Sequence, residues 1–155
     1  GEGDNSASNA GAAYVFERIG ATWTQQAYLK ADNAEEYDSF GSSVAIIGDT
    51  IVVGADGEWR DGSSPGNNDE PYSGAAYVFE QTGPGWLQQA YLKARNAEKD
   101  DYFGFSIALD GNFIVIGAYS EDSDGTGPGN NDKSGAGAAY IFKPFFSYMP
   151  LIMQQ

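Results

Sequence analysis

The sequence predicts an all-β fold made of tandem four-stranded antiparallel units. Three observations carry that prediction. The chain repeats every 63 residues: aligned without gaps, residues 11–73 and 74–136 are identical at 37 of 63 positions. Short runs rich in Val, Ile, Tyr and Phe recur in one order in each copy, divided by Gly, Asp and Asn, the composition of strands and turns. Helical periodicity is nearly absent. A repeat of this length describes units that bury a core only by stacking on their neighbours.

The first strand is the run 12–17. It lies in a Gly-Ala-Ala-Tyr-Val-Phe segment that returns at 74–79 and, with Ile for Val, at 137–142. A turn over 18–21 leads to a second strand over 23–30. Strict alternation there puts Trp23, Gln25, Ala27 and Leu29 on one face and Thr24, Gln26, Tyr28 and Lys30 on the other. An acidic loop over 32–39 follows. The runs 40–47 and 50–54 are split only by Gly48-Asp49, which reads as a tight hairpin. In the second copy the link is Asp110-Gly111-Asn112. The second run ends in Gly54-Ala55, small residues suited to close backbone approach. A polar loop over 56–73 enters the next copy. Counted from Phe40, one whole unit has strands at 40–47, 50–55, 74–80 and 86–93.

A four-stranded antiparallel unit recurring at this spacing describes a β-propeller-type blade. A β-sandwich of two similar halves is the alternative. Units fall at about 11–73 and 74–136, with a partial one at 137–143, so residues 1–143 form the repeat region. The strand ends are staggered. The chain starts in the third strand of a unit, passes through one whole unit and ends with strands one to three of another. The ring is therefore incomplete. Strands within 12–30 have the order needed to complete a sheet with 103–118, which would leave the segment 137–142 surplus. Residues 144–155, PFFSYMPLIMQQ, form an apolar tail without charge or Gly. Phe145, Phe146, Tyr148, Met149, Leu151 and Ile152 are its candidate assembly residues, as a strand offered to a neighbouring chain.

Composition narrows the function. Asp and Glu total 22 against 8 Lys and Arg, a net charge of −14. Phosphate recognition needs clustered cations, so nucleic acid and bare anionic membranes are poor partners. Cys and His are both absent, which removes thiol nucleophiles, imidazole acid–base chemistry and Cys/His zinc sites. No apolar run approaches the ~20 residues of a membrane-spanning helix, so no membrane insertion is expected.

The long loops hold most of the acid. Loop 56–73 carries Glu58, Asp61, Asn67 and Asp69; its copy carries Glu121, Asp122, Asp124, Asn130 and Asp132. Oxygen ligands in a Gly-rich loop suit Ca²⁺, and these nine residues are its candidate ligands. Solvated turns use the same residue types and are the plain alternative. Trp59, whose counterpart is Asp122, is a candidate to stack on a sugar or a partner chain. Acids in loops without a nucleophile motif do not make an enzyme, and none is expected. Trp23 and Trp86 are assigned to blade packing, as are Tyr14, Tyr77, Tyr140, Phe16, Phe79, Phe142, Phe40 and Phe103.

Four elements occur in a fixed order: Phe40-Gly41 and Phe103-Gly104 open a first strand, and Gly54-Ala55 and Gly117-Ala118 close a second. Gly-Ala-Ala-Tyr-Val-Phe forms a third, and Trp23/Ala27/Leu29 with Trp86/Ala90/Leu92 mark a fourth. This set resembles the FG-GAP repeat, the blade of the integrin α-subunit propeller and of many bacterial surface and secreted proteins, over about residues 11–143. Two departures stand out. Asp56 and Tyr119 occupy the family's Pro position after Gly-Ala, and the hairpin at 48–49 is too short for the family's calcium loop. That calcium site is therefore not carried over. The resemblance implies an extracellular or cell-surface, non-enzymatic protein. Together with the staggered ends, it leads to the expectation of a structural or adhesive subunit that self-assembles head to tail into a filament. The alternative is a lectin-like or protein-binding propeller module, acting as a closed homo-oligomeric ring or as a fragment of a larger propeller. Its partner would be a glycan or another surface protein.

Overall fold

The computed structural model describes residues 2–3, 6–59, 70–123 and 132–143. Nine strands and no helix form three antiparallel sheets among these residues. The first sheet pairs β1 (Ala13–Ile19) with β2 (Thr22–Leu29). The second has the order β3 (Phe40–Ile47), β4 (Thr50–Ala55), β5 (Ala75–Thr82), β6 (Gly85–Leu92). The third has β7 (Phe103–Leu109), β8 (Ile114–Ala118) and β9 (Ala138–Phe142). The propeller-type blades and the staggered ends expected from the sequence are both present, and the ring is not closed.

β4 shows why the sheets stack. Its run Thr50-Ile51-Val52-Val53-Gly54-Ala55 is apolar on both faces and is buried throughout. Ile51, Val53 and Ala55 face a core shared with the first sheet, beside Leu29, Phe40, Tyr77 and Phe79. Val52 points the other way, into a second core with Ala76, Val78, Phe103, Ile114 and Ile116. Period-two alternation thus lets one strand serve two layers.

Neighbouring sheets touch backbone to backbone. Gly11 bridges to Phe40 and Gly74 to Phe103, each in parallel sense. At Gly104 φ is +96°, and a Cβ there would collide with the Ala75 carbonyl oxygen. Gly41 repeats this at the first junction against Ala12. The Phe-Gly pair is therefore a packing requirement of the junction, with Phe filling the core and Gly admitting the adjacent strand.

One expectation is corrected. The alternation read through 23–30 does not hold, because a β-bulge interrupts it. Val15 pairs with Ala27 but Phe16 with Gln25, so Gln26 is an extra residue. The second copy repeats the device: Val78 pairs with Ala90 and Phe79 with Gln88. One inserted residue exchanges the faces of everything beyond it.

Candidate functional site: the open half-blade and the acidic loops

Three copies of one strand sit in three environments. Tyr77 and Phe79 on β5 are 0% and 3% exposed, with rings 5.4 and 6.0 Å from Phe40. Tyr140 and Phe142 on β9 meet Phe103 in the same way, at 5.3 and 6.1 Å. Tyr14 and Phe16 on β1 are 52% and 51% exposed. Tyr14 keeps its edge contact with Tyr28, as Tyr77 does with Tyr91. Among the described residues β1 has no Phe-Gly hairpin in its own sheet, which holds the third and fourth strands of a blade. Trp23 is exposed as well, whereas Trp86 packs against the core. Assignment of Tyr14, Phe16 and Trp23 to blade packing is therefore corrected: the residues match, but no strand covers them among the described residues.

A groove of about 350 Å³ marks the gap, lined by Tyr14, Phe16, Val44, Ile46 and Ile51 among others. Val44 and Ile46 are exposed there. Their counterparts in the third sheet, Ile107 and Leu109, are covered by the second sheet. At the far end, Phe113, Val115 and Ile141 form an exposed apolar face on the third sheet. Val115 and Ile141 correspond to Val52 and Val78, both buried between sheets.

The acidic loops place their conserved-in-repeat glutamates inward. Glu58 is 1% exposed. Its carboxylate accepts hydrogen bonds from Tyr77 Oη at 2.7 Å, Asn33 Nδ2 at 2.9 Å and the Trp59 amide at 3.1 Å. Glu121 is 2% exposed and accepts from Asn96 Nδ2 at 2.6 Å and the Ser123 amide at 3.0 Å. There the tyrosine has shifted: Tyr140 Oη donates to Asn96 Oδ1 at 2.9 Å. Burial, first, and the Glu58 charge hold the Tyr77 hydroxyl well above its ordinary pKa. Burial and the Glu121 charge push Tyr140 up to about 12. The Glu58 and Glu121 carbonyls also accept from Gly74 and Gly137 at 2.9 and 2.8 Å, which fastens each loop to the next strand.

Asp122 accepts from the Gly135 amide at 2.7 Å, and its carbonyl from the Lys133 amide at 3.0 Å. Asp132 is exposed. Asp61, Asn67, Asp69, Asp124 and Asn130 lie outside the described residues, as do Phe145, Phe146, Tyr148, Met149, Leu151 and Ile152. No group of three or more metal-ligating acids forms among the described residues. Trp59 sits edge-on to Tyr72, ring centroids 5.5 Å apart, beside a cavity of about 540 Å³ that includes Tyr37, Glu35 and Glu36. Its buried Nε1 has no acceptor among the described residues.

An aromatic ladder crosses the second junction. Tyr72 stacks on Tyr102 at 5.8 Å, and Tyr102 on Tyr119 at 5.0 Å. Tyr72 and Tyr102 hold φ of +58° and +56°. At the first junction the same positions are Asn9, Ser39 and Asp56. The one sequence signal for the ladder was that three departures from the repeat all become tyrosine.

The FG-GAP repeat matches residues 23–79 and 86–142, most of the chain. The chain belongs to the FG-GAP repeat family. No curated protein matches it. Each matched FG-GAP segment runs from the outer strand of one sheet through three strands of the next, β2–β5 and β6–β9. The family thus assigns β9 to the second repeat, and β1 stands before the first. Among the described residues no helix is long and apolar enough to cross a membrane.

Proposed function

We propose that this FG-GAP module is a non-enzymatic, extracellular structural or adhesive subunit that associates head to tail through its terminal strands. The observation that carries it is the half-exposed pair Tyr14 and Phe16, in a sequence that is fully buried one repeat later. The apolar face at Phe113, Val115 and Ile141 lies on the opposite terminal sheet, so two unlike surfaces are available to meet. A contact of that heterologous kind grows a filament unless its rotation closes a ring. FG-GAP repeats generally occur in extracellular or surface proteins and are generally non-catalytic.

Calcium belongs to this reading as a stiffener of the long loops. Glu58 and Glu121 are engaged inside the blades, so the ion would be held by the remaining loop oxygens. Negative-stain electron microscopy with calcium and with chelator tests both points. Open fibres are expected, and their shortening in chelator would support the metal. Closed particles of fixed size would replace the filament reading.

A second reading, a module that binds a glycan or another surface protein, is favoured by the cavity beside Trp59 and Tyr37. A glycan screen on wild type and Trp59→Ala separates it from the first.

A further inference from the structure

We propose that β9 is displaceable, and that head-to-tail contact replaces it with β1 and β2 of a second copy. The inference rests on the assembly reading above and adds its mechanism.

The repeat supplies the template. β4 pairs with β5 through Val52–Val78, Val53–Tyr77 and Ile51–Phe79. β8 pairs with β9 through the equivalent Val115–Ile141, Ile116–Tyr140 and Ile114–Phe142. Residues 11–16 differ from 137–142 only by Val15 for Ile141. A second copy's β1 therefore offers β8 the same side chains in the same register: Val15 opposite Val115, Tyr14 opposite Ile116, Phe16 opposite Ile114. It also brings β2, already paired to it, as a fourth strand, which the third sheet does not have among the described residues. The product, β7-β8-β1-β2, reproduces the order of the complete sheet β3-β4-β5-β6.

The exchange covers Tyr14, Phe16, Val44 and Ile46 on one copy and Val115 on the other, while Ile141 leaves with β9. β1 stands against β3 through the Gly11–Phe40 bridge, as β5 stands against β7 through Gly74–Phe103. The space that β4 fills at the second junction is the groove beside Tyr14, Phe16, Val44 and Ile46 at the first. Entry of β7 and β8 puts Phe103 against Tyr14 and Phe16, and Val115 against Ile51, repeating the environments of Phe40 and Val52. Only β9 leaves its place. While it stays, β8 has no free edge and assembly is held back.

The chain has no cysteine, so an engineered pair is unambiguous. Val115→Cys with Ile141→Cys lies on directly opposed residues of β8 and β9. The expected result, by light scattering, is that the oxidised variant stays monomeric and its reduced form assembles. Equal assembly in both forms overturns β9 displacement while leaving head-to-tail contact intact. Failure of the wild type to assemble at all overturns both. If the reduced double variant assembles poorly, single variants decide. Mixed Val15→Cys and Val115→Cys chains should form a disulfide between copies under mild oxidation, and an assembled mixture without that crosslink contradicts the register.

Discussion

Tyr77 Oη donates a 2.7 Å hydrogen bond to Oε2 of Glu58, both side chains being fully buried. One repeat later the same tyrosine, Tyr140, donates to Asn96 instead, and Asn96 carries the bond on to Glu121. The pairing fastens the long loop after the second strand to the third strand of the same blade.

Tyr77→Phe should therefore cost more than Tyr140→Phe. The first removes a donor from a buried carboxylate, about 1–3 kcal/mol. The second leaves both Glu121 bonds in place and should cost roughly 0.5–1.5 kcal/mol. Urea unfolding of the two variants gives the comparison.

Gly104→Ala should be among the most damaging single-methyl changes. Its φ of +96° strains any side chain, and the added Cβ meets backbone rather than a movable side chain. Strain alone contributes about 1–3 kcal/mol. Gly83→Ala shares a positive φ but meets nothing within 4 Å, and should fold with a smaller loss. Thermal unfolding of both variants measures the difference.

The tyrosine ladder makes a separate prediction. Tyr102→Ser installs the residue found at the first junction, Ser39. It removes two stacked pairs, each about 0.5–1.5 kcal/mol. Tyr102→Phe should retain most of that stability, because the rings stack through their faces. Denaturant midpoints distinguish the two.

Asp101 sets a pH dependence. Burial raises its pKa from 3.8 to about 6, against a 2.7 Å bond from the Glu98 amide and with the charges of Glu121, Glu98 and Asp122. The folded chain then holds this proton more tightly than the unfolded chain. The stability it contributes is full below 3.8 and is lost as pH rises through about 6. Asp101→Asn should remove that decline, since its amide oxygen still accepts from Glu98. Unfolding free energies of both proteins across this window test the sign.

Much of the fold was legible because the period is regular and each strand has its own signature. Phe-Gly, Gly-Ala and Gly-Ala-Ala-Tyr-Val-Phe all report backbone or core constraints, so they survive in both copies. The bulge at Gln26 was not legible, because an inserted residue leaves composition unchanged and alters only register. Glu58 and Glu121 read as loop acids. Their inward turn depends on Asn33, Tyr77 and Asn96, which are distant in sequence. The exposure of Tyr14 and Phe16 follows from the two-stranded sheet that β1 forms with β2 among the described residues, a matter of neighbouring strands rather than of those residues.

Double substitution Tyr14→Ser with Phe16→Ser should weaken assembly while leaving the monomer folded, since both side chains are half exposed. The matching change at Tyr77 and Phe79 should unfold the chain, because those rings fill a core. Circular dichroism with light scattering separates folding from association.

The most direct test is the mass of the wild-type chain in solution, by light scattering over a wide concentration range. Head-to-tail contact through the terminal strands is expected to give species that grow with concentration beyond the 16.5 kDa monomer. A mass fixed at 16.5 kDa at every concentration would contradict it.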